Sequence, residues 1–327
     1  MGEFAKAHPE LALRLIKEDT DGVARFLIPI LSNLWDGLQR EATRARIGRW
    51  IERARAGSDN HLFASRKMVL STRDVDIDLV KHILWKAAEI KDLPTIRQIV
   101  TVAIARYEDA GEKLIDEIFL PAIDFLTQNK DASWIFEAWY RKEVVELFQK
   151  LGSEIDVRVL RNLIVLPKID FQAEEILSRI ARRMPESIVN FFSDRVASDS
   201  QGREYRGVDE FEAVPFEFDK LREPLSTIPG YAVRRVYELY QADSELFEFR
   251  GARLLKNIFP NFAHEFETEL LQLLKGGDER QCRFVVGILK AYQGQPFIHR
   301  VCKEIVKALP KENPIVNEMA IALETTG

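Results

Sequence analysis

The chain has 327 residues, of which 46 % are hydrophobic and 30 % charged, with a formal net charge of −5 and a pI near 5.8. That balance is that of a folded protein with ample core material, not a disordered one, and its acidity argues against a dedicated nucleic-acid binder. The two cysteines, Cys282 and Cys302, fit a reducing cytoplasm, and the densest apolar block, residues 26–31, is far too short to span a membrane and contains Pro29.

Phe4 to His8 read as the tail of one helix, and Pro9-Glu10 open a second through Leu11, Leu15 and Ile16. Proline lacks a donor that the first helical turn cannot use, and an acid there complements the helix dipole. The same junction recurs at Met184-Pro185-Glu186. The chain thus starts inside a repeat, with Met1-Gly2-Glu3 as a leader, and a fragment of a longer protein is expected.

Two helices are expected over residues 21–56. The second, over 38–56, has the apolar stripe Ile47, Trp50, Ile51 and Ala54. Arg46, Arg49 and Arg53 share one flank; Arg40, Arg44 and Arg55 share the other. The first trio beside Trp50 is a candidate anion or nucleic-acid contact. Arginine stems covering apolar surface, or pairing with Asp74, Asp76 and Asp78, explain the same pattern. A polar connection with His61, Arg66 and Lys67 follows.

Helices are expected next over 77–91, 94–107, 112–126 and 132–151, with Asp92-Leu93-Pro94 as a stop-and-start signal. Trp85, Trp134, Phe136, Trp139 and Tyr140 make this region aromatic; helical spacing favours core packing over a ligand cleft. Helices over 154–166 and 171–183 form a pair, the second capped by Asp170.

The helical pattern then fails over 198–228. This stretch carries eight acidic residues against Arg203, Arg206, Lys220 and Arg222, with Tyr205, Phe211, Phe216 and Phe218 among them. Long loops in compact domains are usually functional or disordered, and the aromatics favour a loop packed on its neighbours. These four aromatics are therefore candidates for a partner-docking loop, with a structural filler as the equal alternative.

From residue 229 the chain repeats itself. A shift of 35 places Phe249 on Phe284, Ala252 on Gly287, Leu254 on Leu289 and Phe262 on Phe297; Asp243, Asp278 and Asn313 fall at the same step. Phe284, Val285, Ile288 and Leu289 form one helical stripe, and Phe297, Val301, Ile305 and Leu309 form the next after a break at Gln293–Pro296. A single pair has apolar surface on two sides, so neighbouring pairs must stack to bury it. A third copy carries Met319, Ile321 and Ala322; exposed terminal repeats there and at Phe4 would allow self-association.

The period and pattern resemble the HEAT-like α-solenoid family. The resemblance implies an all-α chain, a right-handed solenoid of stacked antiparallel helix pairs with one irregular insertion. The expected partition is an array over 1–197, the insertion 198–228 and repeats over 229–327. Small residues at Ala252, Gly287 and Ala322 suit close helix approach.

The sequence holds no phosphate-binding P-loop, GxSxG, HExxH or CxxC motif, and its five histidines are scattered. His264 and His299 are repeat-equivalent, which marks one structural position twice in preference to a metal site. No cofactor and no metal are expected. The leading expectation is a cytoplasmic, non-catalytic interaction scaffold or sensor, the helical-repeat part of a larger bacterial protein, with a protein or a neighbouring domain as partner. The alternative is nucleic-acid binding along a solenoid face, similar to the HEAT-like DNA alkylbase glycosylases, which hold DNA against aromatic and basic residues.

Overall fold

A computed structural model describes residues 2–18, 26–54, 60–72, 74–138, 147, 152–199, 211–276 and 278–323. These residues are helical or in turns and connections, with no strand among them. The chain forms two compact units, 1–147 and 148–327.

In the first unit the helices are α1 (Gly2–Ala7), α2 (Pro9–Glu18), α3 (Leu27–Trp35), α4 (Arg40–Arg53), α5 (Asn60–Ser71), α6 (Ile77–Glu89) and α7 (Leu93–Ala105). Short α8 (Tyr107–Ala110) and α9 (Glu112–Leu114) lead into a π-helical turn, Ile115–Phe119, then α10 (Leu120–Gln128) and α11 (Trp134–Ala138). Alternate helices touch: α1 packs on α3, α3 on α5, α5 on α7 and α7 on α11, while α4 packs on α6. Asp76 caps α6 by accepting from Leu79 N–H at 3.0 Å, and Asp92 caps α7 by accepting from Thr95 N–H at 3.2 Å. Such caps contribute about 1 kcal/mol each.

Two local expectations need correcting. The polar connection around His61 is helix α5, because Ala64, Met68, Val69 and Leu70 are buried while Arg66 turns to Asp92 at 3.6 Å. The helix expected over 112–126 is interrupted: Leu120 N–H donates to the Ile115 carbonyl, five residues back. Pro121 follows and has no N–H to continue the ordinary ladder, which is the physical reason for the register shift. Trp134 is fully buried against Phe119, Trp85 and Phe136 are exposed, and Trp139 and Tyr140 lie outside the described residues.

The second unit contains α12 (Ser153–Leu163), α13 (Phe171–Arg183), α14 (Pro185–Asp199), the short α15 (Arg222–Leu225), α16 (Pro229–Ala242), α17 (Ser244–Ile258), α18 (His264–Leu274), α19 (Glu279–Lys290), α20 (His299–Ala308) and α21 (Pro314–Leu323). Helices α17, α19 and α21 begin at Ser244, Glu279 and Pro314, and α16, α18 and α20 at Pro229, His264 and His299, so both sets advance by 35 residues. Contacts follow the same two rows: α17 on α19 on α21, and α16 on α18 on α20. Asp243, Asp278 and Asn313 each accept a backbone N–H at the start of their helix, from Leu246, Arg280 and Ile315 at 2.9–3.0 Å. Val285, Val286, Ile288 and Leu289 are all buried, which places one broad face of α19 in the core. Burial of this kind stabilises by roughly 25 cal/mol per Å² of apolar surface. Towards the chain ends, Ala320 is exposed and Phe4 half-buried; the side chains of Ile321, Ala322 and Leu323 lie outside the described residues.

Between α14 and α15 the described residues, from 211 on, depart from the helical rows. Residues 211–221 form a strap whose Phe218 and Leu221 are fully buried, Phe218 lying 4.9 Å from the Phe192 ring. One carboxylate oxygen of Glu174 on α13 accepts from the backbone N–H groups of Asp219, Lys220 and Leu221 at 2.7, 2.8 and 3.2 Å. The buried Arg195 of α14 donates to the carbonyls of Glu212 and Ala213 on the strap, and of Ile164 and Leu166 after α12. Buried polar groups are stable only when satisfied in this way.

Candidate functional site

Two sets of candidate residues emerge from the sequence, and the structure treats them differently. On α4, Arg49 and Arg53 are exposed, but Arg46 is half-buried, donating to the Ile16 carbonyl at 3.1 Å with its guanidinium over the Trp50 ring. Trp50 is itself buried, so its face is not open for a base to stack on. On the other flank Arg40 pairs with Asp74 at 2.7 Å, and Arg44 with Asp76 at 2.6 Å and Asp78 at 3.5 Å. Burial raises the Asp76 pKa, but the hydrogen bonds from Arg44 and Leu79 N–H outweigh it and hold the carboxyl below its ordinary value.

Of the strap aromatics, Tyr205 lies outside the described residues. Phe218 is fully buried and serves the core, so its place in a docking loop is corrected: its ring is taken up by Phe192. Phe211 lies 4.4 Å from the Arg195 guanidinium, part of the strap's anchorage. Phe216 is the open one, 82 % exposed.

Phe216 stands on the edge of a half-open groove of about 620 Å³ beside α17. The groove lining includes the small residues Ala252, Gly287 and Ala291. At Gly287 an added Cβ would lie 3.1 Å from Glu248 Cγ and 3.7 Å from the Glu248 carbonyl oxygen on α17, a tight contact only with the flexible side chain. Phe249 projects from α17 on the same groove and is 72 % exposed. A second cleft of about 360 Å³ shares Phe249 and Arg253 with the first, and extends to Lys168 and Phe211. The two clefts flank one ridge, formed by Phe249 and Arg253.

Fixed charges surround this ridge. Arg253 pairs with Glu212 at 3.0 Å and lies over the Phe216 ring; Arg222 pairs with Glu217 at 3.0 Å. Lys290 bridges Glu248 and Glu318 at 3.5 and 3.2 Å. Lys168 and Lys256 are exposed and make no ion pair among the described residues; Lys256 sits near the Tyr292 ring. The strap's position over the groove is fixed by Asn257, whose side-chain N–H donates to the Pro215 carbonyl at 2.6 Å.

The register that set Phe249 on Phe284 does not predict this site. Phe284 is buried against Tyr237 and Tyr240, whereas its counterpart faces outward. A signal was present: Phe247, Gly251, Leu254, Leu255 and Ile258 make the buried stripe of α17, and Phe249 falls on its far side. Among the described residues no group of His, Cys, Asp or Glu is placed to hold a metal ion, and His264 and His299 are each the first, exposed residue of their helix. Among the described residues no helix is long and apolar enough to cross a membrane. No family model, curated protein or solved structure matches this chain.

Proposed function

We propose that the protein is a cytoplasmic, non-catalytic interaction scaffold, an α-solenoid of stacked helix pairs that binds a protein partner along α17. The solenoid reading is supported by the two rows of helices in the second unit, each advancing by 35 residues and each touching the next member of its own row. Stacked repeats of this kind create extended surfaces suited to binding. The observation that carries the functional reading is the pair Phe216 and Phe249, two large apolar side chains left open on one groove while Phe218, Phe247 and Phe259 are buried. Contiguous exposed apolar patches mark interaction sites, and aromatic side chains carry much of the binding energy at interfaces.

A photo-reactive phenylalanine analogue at position 249, expressed in the source cells, tests this reading. A discrete cross-linked partner is expected from position 249 and not from position 161, where Arg161 is exposed but outside the groove. Equal adducts from both positions, or none from 249, would sink it.

A further inference from the structure

We propose that the groove takes an acidic peptide segment with an aromatic or long aliphatic anchor, the anchor lying against Phe216 and Phe249 and its carboxylates reaching Lys168 and Lys256. This rests on the interaction-scaffold reading and names the chemistry of the partner.

The argument is one of charge complementarity within an acidic protein. Cations outnumber carboxylates among the residues lining the two clefts, although the chain carries a net charge of −5. Arg222, Arg253 and Lys290 are already matched by Glu217, Glu212 and Glu248. Of the other three lining cations, Arg250 has contacts of its own, whereas Lys168 on one side of the ridge and Lys256 on the other have no acidic partner among the described residues; Glu245 is the remaining carboxylate. A ligand satisfying these groups must present acceptors at both ends and an apolar group between them.

The spacing suits a short peptide. Lys256 is seven residues beyond Phe249 on α17, about 10 Å along the helix at 1.5 Å per residue. An extended chain covers that distance in about three residues at 3.3 Å each. Glu245, the groove carboxylate without a cation partner among the described residues, disfavours a polyphosphate backbone, whose closely spaced charges would meet it. A peptide with a few spaced acids avoids it.

The test is selection from a random-peptide display library on the full chain, followed by fluorescence polarisation of the enriched peptides and of a labelled oligouridylate. Enriched sequences should combine Asp or Glu with Phe, Trp, Tyr or Leu. Phe249→Ala should weaken their binding by about tenfold or more. The double variant Lys168→Glu/Lys256→Glu should do so by a similar factor, more in low salt than in high. Lys168→Gln/Lys256→Gln should give an intermediate loss, and circular dichroism should show all variants folded, since the substituted side chains are exposed. Enrichment of neutral or basic peptides at the same groove overturns the acidic assignment and leaves the scaffold reading standing. No enrichment, or oligouridylate binding abolished by the same variants, overturns both.

Discussion

Phe262 and Phe297, 35 positions apart in the chain, stack with ring centroids 5.2 Å apart and planes 20° from parallel. The repeat is thus a physical contact as well as a pattern: equivalent side chains of successive units lie against each other. Phe262 is the more heavily engaged, edge-on to Phe266 and Tyr292 at 5.2 and 5.0 Å, and it is held at φ 51°, in the left-handed region. Aromatic packing offsets a backbone strain of the order of 1 kcal/mol. Phe262→Ala is expected to destabilise the second unit by about 3–5 kcal/mol, more than Phe297→Ala, whose ring is only half-buried. Phe262→Gly should cost no more than Phe262→Ala, because glycine relieves the left-handed strain that alanine retains. Urea unfolding of the three variants checks the order; a glycine variant clearly weaker than the alanine one would contradict it.

The two small positions on α17 and α19 should respond differently to alanine. A Cβ on Gly251 would come within 2.6 Å of Val236 Cγ1, inside the contact between α16 and α17 where both residues are buried. A Cβ on Gly287 meets Glu248 Cγ at 3.1 Å, and that side chain can shift toward the open groove. Alanine improves helix propensity by about 1 kcal/mol at either site, while overpacking costs about 1–3 kcal/mol. Gly251→Ala should therefore lower the melting temperature and Gly287→Ala leave it near the parent value. Comparable losses at both positions would show that Glu248 has no freedom to move.

How much could be seen from sequence follows from where each residue's partners lie. Asp243, Asp278 and Asn313 cap helices a few residues ahead of them, so the helix starts and their 35-residue step are local information and were legible. Helix α5 was not, because its Ala64, Met68 and Val69 are interrupted by Arg66 and Lys67, and it is tertiary burial that decides the matter. The strap's irregularity is legible in its loss of helical spacing, but its split into the buried Phe218 and the open Phe216 depends on Phe192 and Asn257, which lie on helices distant in sequence. Phe249 was hidden by the repeat itself. Register assigned it the environment of Phe284, and register carries no information about which face of a helix its neighbours leave uncovered.

Burial governs the thiols. Cys282 and Cys302 are both buried, and burial pushes the Cys302 thiol up to about 11. The folded state holds that proton more tightly than the unfolded chain, whose value is near 9. The stability contribution is fully present below pH 9 and is lost as pH rises through about 11, with a size on the order of 2 kcal/mol. Cys302→Ala should flatten this part of the pH–stability curve relative to the parent, even though its cavity lowers stability throughout. Parallel curves between pH 8 and 11 would rule the thiol out. Both cysteines should also react with a thiol reagent at neutral pH only as fast as the second unit opens.

Glu174 should control the groove without touching it. Its carboxylate receives the N–H groups of Asp219, Lys220 and Leu221, and so anchors the end of the strap that carries Phe216 and Glu217 to the groove wall. Hydrogen bonds to a charged group contribute about 1.5–3 kcal/mol, and of the three donors the Leu221 N–H is buried and would be left unsatisfied, while those of Asp219 and Lys220 are part-buried. Glu174→Leu removes all three acceptor contacts; Glu174→Gln retains an acceptor oxygen but loses the charge. Hydrogen exchange at residues 219–221 should accelerate strongly in the leucine variant and moderately in the glutamine one, while the amides of α19 keep their protection. Peptide affinity at the groove should fall in the same order, because a loosened strap presents Phe216 in many positions and ordering it on binding has an entropic cost. Faster exchange at 219–221 with unchanged affinity would show that the strap is dispensable, and the ligand would then rest on Phe249 and α17 alone.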